Sequence, residues 1–257
     1  MNTNILLIDK PKGITSFDCI RILRRKLGVR KMGHAGTLDP MATGLMIISV
    51  GEGTKRLQEF LKLPKVYEAE ILLGIKTDTG DITGKILEES KVSGQMSDVT
   101  KLSEVLTGMV GKLELPVPAY SAIKRGGEAL YKKARRGEVV ETPIKTMEIK
   151  SAEFLGLGIL PFLKGEPRSD EGRDLKSSVL ADSDTSFRKG GISLPVVKAR
   201  FDVASGTYIR SLAEELGRRL EVPATLAGLR RTRIGNFKIE DAEKLSDEFR
   251  SRHPDVI

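Results

Sequence analysis

Cysteine is almost absent. Cys19 is the single one in 257 residues, which excludes an intramolecular disulfide and any multi-cysteine metal site. Histidine is nearly as scarce. His34 and His253 are the only two, with no HExxH or related spacing, so no protein-held metal is expected. Nowhere does the sequence approach the ~20 consecutive apolar residues that a membrane span requires. The start, Met1-Asn2-Thr3-Asn4, leads into an apolar run too short for a signal peptide. The GxxxxGKS/T pattern of phosphate-binding nucleotide enzymes is missing as well. These shortages lead to the expectation of a reducing, soluble compartment, the cytoplasm, with no membrane partner.

What is present in excess is positive charge. Forty-three Lys and Arg oppose 35 Asp and Glu, a net charge of +8, and such a surplus suits a polyanionic partner or simply solubility. Its placement is uneven. Lys124, Arg125, Lys132, Lys133, Arg135 and Arg136 crowd into one span with Tyr120 and Tyr131 among them, and Leu229-Arg230-Arg231-Thr232-Arg233 forms a second cluster. Basic residues beside aromatics suit a surface that neutralises a nucleic-acid backbone and stacks bases, although a solvated charged helix has a similar composition.

The most distinctive stretch is Gly33-His34-Ala35-Gly36-Thr37-Leu38-Asp39-Pro40-Met41-Ala42-Thr43-Gly44. Its glycines permit positive φ and close backbone approach. Pro40 pushes Asp39 out of the α region and so directs its side chain. The apolar run Leu45–Val50 follows and reads as a buried strand. A carboxylate on a stiffened loop at the mouth of a sheet suits chemistry, and an ordinary Gly/Pro turn would carry the same residues.

Around it, residues 5–10 read as a strand. Thr15 and Asp18 form a capping-box start to a helix that runs to Leu27 and stops at Gly28. Cys19 falls inside that helix as a small core residue. A short helix is expected from Thr54 to Leu61, then a half-exposed strand with Tyr67, Ala69 and Ile71 on one face. The acidic run Thr77–Asp81 lacks the spacing of a calcium loop and reads as a solvated turn. Residues 97–110 are amphipathic, with Val99, Leu102, Leu106 and Val110 on one stripe. From 164 to 191 the pattern is lost, which reads as a flexible insertion. Val197–Val203 alternates as a strand, and a helix beginning near Thr207 carries Tyr208 and Arg210 in its first turn. A cation is disfavoured at that dipole end, which makes a carboxylate partner for Arg210 attractive.

Taken together, these pieces resemble the TruB family of bacterial tRNA pseudouridine-55 synthases. Lys10-Pro11-Lys12-Gly13-Ile14-Thr15-Ser16 is similar to its first motif, and Gly-His-Ala-Gly-Thr-Leu-Asp-Pro at 33–40 to its second. Lys65-Val66-Tyr67 with Leu73-Gly74 and Thr77–Asp81 resembles the third. Pro118–Lys124 resembles its RNA-contacting thumb, and Gly206–Arg210 with Leu229-Arg230-Arg231 completes the set. The resemblance implies an α+β fold: a pseudouridine synthase catalytic core over residues 1–245, with a mixed, mostly antiparallel sheet flanked by helices. A basic thumb at 116–141 would be inserted in it. Residues 246–257 would be a short tail, without the C-terminal RNA-binding domain of many members.

The resemblance also implies roles. Asp39 would be the catalytic carboxylate, assisted by Arg210 as its ion partner and by Tyr67 on the base. His34, Lys10, Tyr208 and Leu229 would bind the flipped nucleotide, and Lys124, Arg125, Lys132, Lys133, Arg230 and Arg231 the RNA backbone. The implied partner is the T-stem-loop of tRNA, met by a monomer without a protein partner. The isomerisation exchanges no atoms or electrons with another molecule, so no cofactor is implied.

Overall fold

The computed structural model describes residues 4–92, 98–162 and 192–245. The expected insertion at 164–191 and the tail at 246–257 lie outside the described residues. The chain divides into two compact units, and β-strands carry it from one to the other.

Unit 1 holds the residues up to Glu68, Asp202–Ser205, and those from Leu229 onward. Strand β1 (Ile5–Lys10) leads to helix α1 (Ser16–Leu27), whose ends obey local rules. Thr15 and Asp18 form a complete capping box, and Gly28 terminates the helix with φ 73°. The buried side of α1 includes Cys19, Ile20, Leu23 and Leu27, the i, i+3, i+4 spacing of an amphipathic helix. Strand β2 (Met32–His34) precedes the loop that bears Asp39, and β3 (Thr43–Val50) follows it. The expected Thr54–Leu61 helix is instead a 3₁₀ turn, Gly51–Arg56, running into a short helix α2 (Leu57–Leu61). Strands β4 (Lys65–Leu73) and β12 (Ala224–Ile234) begin or end in this unit, and β13 (Phe237–Lys238) and β14 (Glu243–Lys244) close it.

β3 is the centre of unit 1. It pairs antiparallel with β1 from Ser49↔Ile5 to Gly44↔Lys10, and antiparallel with β2 at its far end. Its first residues pair in parallel with β12, Thr43 against Arg230 and Gly44 against Arg231. From Gly44 to Val50 every residue of β3 is buried, the continuous apolar pattern of a strand covered on both faces. Ala35, Leu45, Ile47, Phe60 and Ile234 form a core cluster beside it, with Phe60 and Phe237 edge to face at 5.9 Å.

Unit 2 runs from Ala69 to Phe201 and from Gly206 to Gly228. Its strand order is β4-β11-β10-β7, where β7 is Gly111–Pro116, β10 Ile144–Phe162 and β11 Ile192–Val203. β7 and β10 pair antiparallel. Two small ribbons, β5 (Ile75–Thr77) with β6 (Ile86–Glu89) and β8 (Lys124–Arg125) with β9 (Glu128–Ala129), accompany helices α3 (Val99–Thr107), α4 (Leu130–Arg135) and α5 (Ile209–Arg219). The architecture is therefore α+β with a mixed sheet.

Three expectations need correction here. In α3 only Leu102 and Leu106 are buried, whereas Val99 and Val110 are 50% and 43% exposed. The helix ends at Thr107, which leaves Val110 outside it, and Val99 stands in an exposed first turn. β4 is not half-exposed, because only Glu68 and Glu70 along it escape burial. The acidic turn is not solvated either. Thr77 and Asp81 are 1% and 5% exposed. Burial is tolerated because the turn satisfies its own carboxylate: Thr79 Oγ1, the Thr83 N–H and Thr83 Oγ1 all donate to Asp81 Oδ1, at 3.0, 2.8 and 2.6 Å.

The closest approach in unit 1 is at Gly44. Its φ is +109°, and a Cβ there would collide with the backbone of Arg231. Gly44→Ala is expected to lower stability by about 2 kcal/mol or more, read as a shift in urea midpoint with an unchanged slope.

Candidate active site

The loop between β2 and β3 has no regular backbone pairing, so its polar groups must find other partners. They find them on both sides. At its start the Ala35 N–H donates to Ile47 O at 3.0 Å. In its middle, Ser16 Oγ both accepts from the Leu38 N–H at 2.8 Å and donates to Leu38 O at 3.0 Å. Pro40 O accepts from the Gly13 N–H at 2.8 Å and from Lys10 Nζ at 3.4 Å. The Ala42 N–H turns back to Asp39 O at 3.1 Å. Asp39 is left partly exposed between Leu38 and Met41, both buried. A partly exposed carboxylate on a backbone braced from both sides is pre-oriented for chemistry.

Lys10 was expected to line a substrate pocket, and the structure places its ammonium against the backbone of the Asp39 loop. Its side chain is fully buried, and its ammonium donates to Pro11 O, Ile14 O and Pro40 O at 2.9, 2.7 and 3.4 Å. Burial pulls its pKa below the ordinary value, against the opposing pull of Asp39 among others. Lys10 is a brace of the loop, tying the β1–α1 turn to Pro40.

Arg230 and Arg231 were both expected on phosphates. Arg230 is engaged within the unit, its two terminal nitrogens on the Asp9 carboxylate at 3.1 and 2.8 Å. Arg231 is 1% exposed and has no surface to offer a phosphate. Its Nε donates to Leu45 O at 2.7 Å and its Nη2 to Gly36 O at 3.2 Å. Alternation along β12 sends one of two adjacent arginines inward, a choice that composition does not reveal.

Tyr67, on β4, is 8% exposed, and the guanidinium carbon of Arg231 lies 6.0 Å from its ring centroid. His34 is half-buried at the end of β2. Burial and then the charge of Arg231 lower its pKa, which keeps the imidazole neutral at pH 7. Leu229 is half-buried on β12.

Lys65, to which the sequence reading gave no role of its own, is a third buried cation of unit 1. It is 5% exposed, and Nζ donates to Leu61 O and Leu63 O, both at 2.6 Å, and to Ser205 Oγ at 3.3 Å. Burial, aided by Arg231, lowers its pKa to about 8. Its place in the third motif, two residues before Tyr67 and on the same face of the strand, is the signal the sequence held.

Unit 2 carries the remaining expected residues. Arg210 is buried at the second position of α5, with Nη1 on Thr79 O at 2.9 Å and Nη2 on Tyr120 O at 3.0 Å. Tyr208 is the residue preceding that helix rather than part of its first turn. Its N–H donates to Met147 Sδ at 3.4 Å, and Lys145 Nζ lies 5.8 Å from its ring centroid. Lys124, Arg125 and Lys132 are exposed around the β8–β9 ribbon and α4, and Lys133 is partly so. Arg125 also pairs with Glu141 at 2.8 Å.

Residues 24–159 match the family model described as TruB family pseudouridylate synthase, N-terminal domain. The chain belongs to the TruB family. It is 37% identical to tRNA pseudouridine synthase B of Endomicrobium trichonymphae, over 95% of this chain and 90% of that protein. The protein of the same name from Deinococcus radiodurans is 37% identical, over 95% and 77%, and that of Aromatoleum aromaticum 38%, over 94% and 66%. The chain thus spans about two thirds of the length of some TruB relatives. Among solved structures, the fold resembles a crystal structure of a Cbf5-Nop10-Gar1 complex, with TM-score 0.61 and 25% identity over 95% of this chain and 52% of that one. It also resembles an H/ACA RNP bound to a substrate RNA containing 2′-deoxyuridine, with TM-score 0.58 and 23% identity over 95% and 51%. No helix among the described residues is long and apolar enough to cross a membrane.

The lowered pKa of Lys65 has a thermodynamic consequence. Between pH 8 and 10.5 the unfolded chain binds a proton at this residue that the folded chain does not, so stability rises with pH across that window. Urea unfolding of the wild type and Lys65→Met at pH 7.5 and 10 is expected to show the wild type gaining about 1–3 kcal/mol relative to the variant.

Proposed function

We propose that this chain isomerises uridine to pseudouridine in the T-loop of tRNA, at position 55, with Asp39 as its catalytic carboxylate. The observation that carries the reading is the Asp39 loop, in which Asp39 is partly exposed and the backbone is held at Gly36, Leu38 and Pro40 by groups from outside it, in a member of a pseudouridylate synthase family. In the reaction the C1′–N1 bond breaks, the base rotates, and C1′ bonds to C5. N1 gains a proton and C5 gives one up, so atoms and electrons balance within the substrate. A carboxylate has an ordinary pKa near 4 and is ionised at neutral pH, able to act as nucleophile or to stabilise charge developing on the sugar.

The other assignments follow the family resemblance. Tyr67 packs on the base, its ring already held near a buried guanidinium. Arg210 assists Asp39, and the two carbonyls that hold its guanidinium give it one orientation. His34, Tyr208 and Leu229 bind the nucleotide after it leaves the stack, a step that costs a few kcal/mol. Lys124, Arg125, Lys132 and Lys133 contact phosphates, so affinity falls steeply with rising salt. The chain acts as a monomer, without a protein partner, in the cytoplasm where its tRNA substrate is.

The test is incubation with an unmodified tRNA transcript followed by mapping of pseudouridine. We expect modification at position 55 by the wild type. Asp39→Asn should lower turnover by about 10³-fold or more while tRNA affinity stays within about tenfold. Full turnover by that variant overturns the catalytic assignment. Tight tRNA binding by the wild type without product overturns the activity and leaves an RNA-binding role.

A further inference from the structure

We propose that Arg231 is a positioning residue, a staple that joins the two ends of the Asp39 loop and sets the direction of its carboxylate. The part that concerns turnover rests on the activity proposed above, whereas the stapling itself does not.

Three contacts made by one residue carry the inference. The backbone of Arg231 pairs with Gly44, the second residue of β3 after the loop. Only glycine permits that approach, since any Cβ at position 44 would meet the Arg231 backbone. From this anchor Nε reaches Leu45 O at 2.7 Å and Nη2 reaches Gly36 O at 3.2 Å. Gly36 lies three residues before Asp39 and Leu45 six after it, so one guanidinium spans the whole loop. Gly36 itself has φ +91°, and Arg231 Nη1 lies 3.5 Å from where its Cβ would be. The carbonyl at 36 is thus aimed by a backbone conformation that L side chains rarely adopt.

Energetics argue against mere core filling. Taking a guanidinium to 1% exposure carries a large desolvation cost, and well-packed apolar residues often stabilise a core at least as well. The planar fork supplies what an apolar side chain cannot: two donors of fixed separation for two carbonyls from distant points of a loop. The same guanidinium stands 6.0 Å from the Tyr67 ring, so the reference frame for the loop is shared with the aromatic residue assigned to the base. A lysine would bring the charge without the fork.

The experiment combines steady-state turnover on the tRNA transcript with hydrogen exchange of the whole 257-residue chain, in the wild type, Arg231→Lys and Gly44→Ala. The last displaces the Arg231 backbone and leaves the guanidinium intact. We expect Arg231→Lys to lower kcat by about 10- to 100-fold with KM within about threefold. Amides 36–45 should exchange at least about tenfold faster while those of β7 and β10 are unchanged. Gly44→Ala is expected to loosen the same amides and to lower kcat in the same sense. Unchanged protection at 36–45 in both variants overturns the staple. So does a rise in KM with kcat intact and a salt slope for tRNA binding reduced by about 1, the signature of a phosphate contact. If Arg231→Lys does not fold, Gly44→Ala decides. If the wild type has no turnover on tRNA, the activity fails and hydrogen exchange alone decides the staple.

Discussion

A loop that presents a carboxylate cannot also spend its backbone on sheet hydrogen bonds, and yet buried peptide groups must be paired. Everything notable in unit 1 follows from that conflict. The carbonyls and amides between β2 and β3 are satisfied from outside by Ser16 on α1, by Lys10 at the end of β1, by the Gly13 amide and by Arg231 on β12. Each helper comes from a different element. The loop is therefore as rigid as the packing of those elements against β3, and its geometry is a property of the unit rather than of its own dozen residues.

Three of the buried groups of this unit, Lys10, Lys65 and Arg231, are cations whose donors lie on backbone carbonyls. Burial lowers the pKa of Lys65 and of Lys10, and the charge of Arg231 adds to the fall in both. Such a cluster costs stability, and its compensation is electrostatic. Positive charge held out of water favours neutral imidazoles, and at His34 it adds to the larger effect of burial.

Unit 2 uses the same device with a different residue. Arg210 is oriented by the carbonyls of Thr79 and Tyr120, from two separate loops, and the next residue, Ser211, donates to Pro116 O at 2.7 Å. Thus the root of the basic segment and the acidic turn both bear on the start of α5. The burial of that turn, unexpected from its polar sequence, is what lets Thr79 supply one of the two carbonyls. In both units an arginine is fixed by backbone oxygens, which specify direction more narrowly than a lone carboxylate on a flexible side chain.

Local rules were legible in the sequence because they depend on near neighbours. Thr15, Asp18 and Gly28 bound α1 through contacts three or four residues apart. The apolar run of β3 announced a doubly covered strand, and the glycines and proline around Asp39 announced a loop built to present it. The family motifs identified the chain because they are ordered along it. What the sequence could not determine was the fate of individual charges. Lys10 read as a nucleotide-binding residue, Arg230 and Arg231 read alike as phosphate contacts, and Lys65 had no role of its own; that Lys10, Lys65 and Arg231 are buried and Arg230 is not depends on which strand lies opposite. The partner of Arg231 is Gly44, 187 residues earlier in the chain. Val99 and Val110 read as core for the same reason in reverse, since helical spacing says which residues share a face and not how far the opposing surface extends. Periodicity resides in the chain, whereas desolvation is a property of the space around a residue, and only the tertiary structure supplies that space.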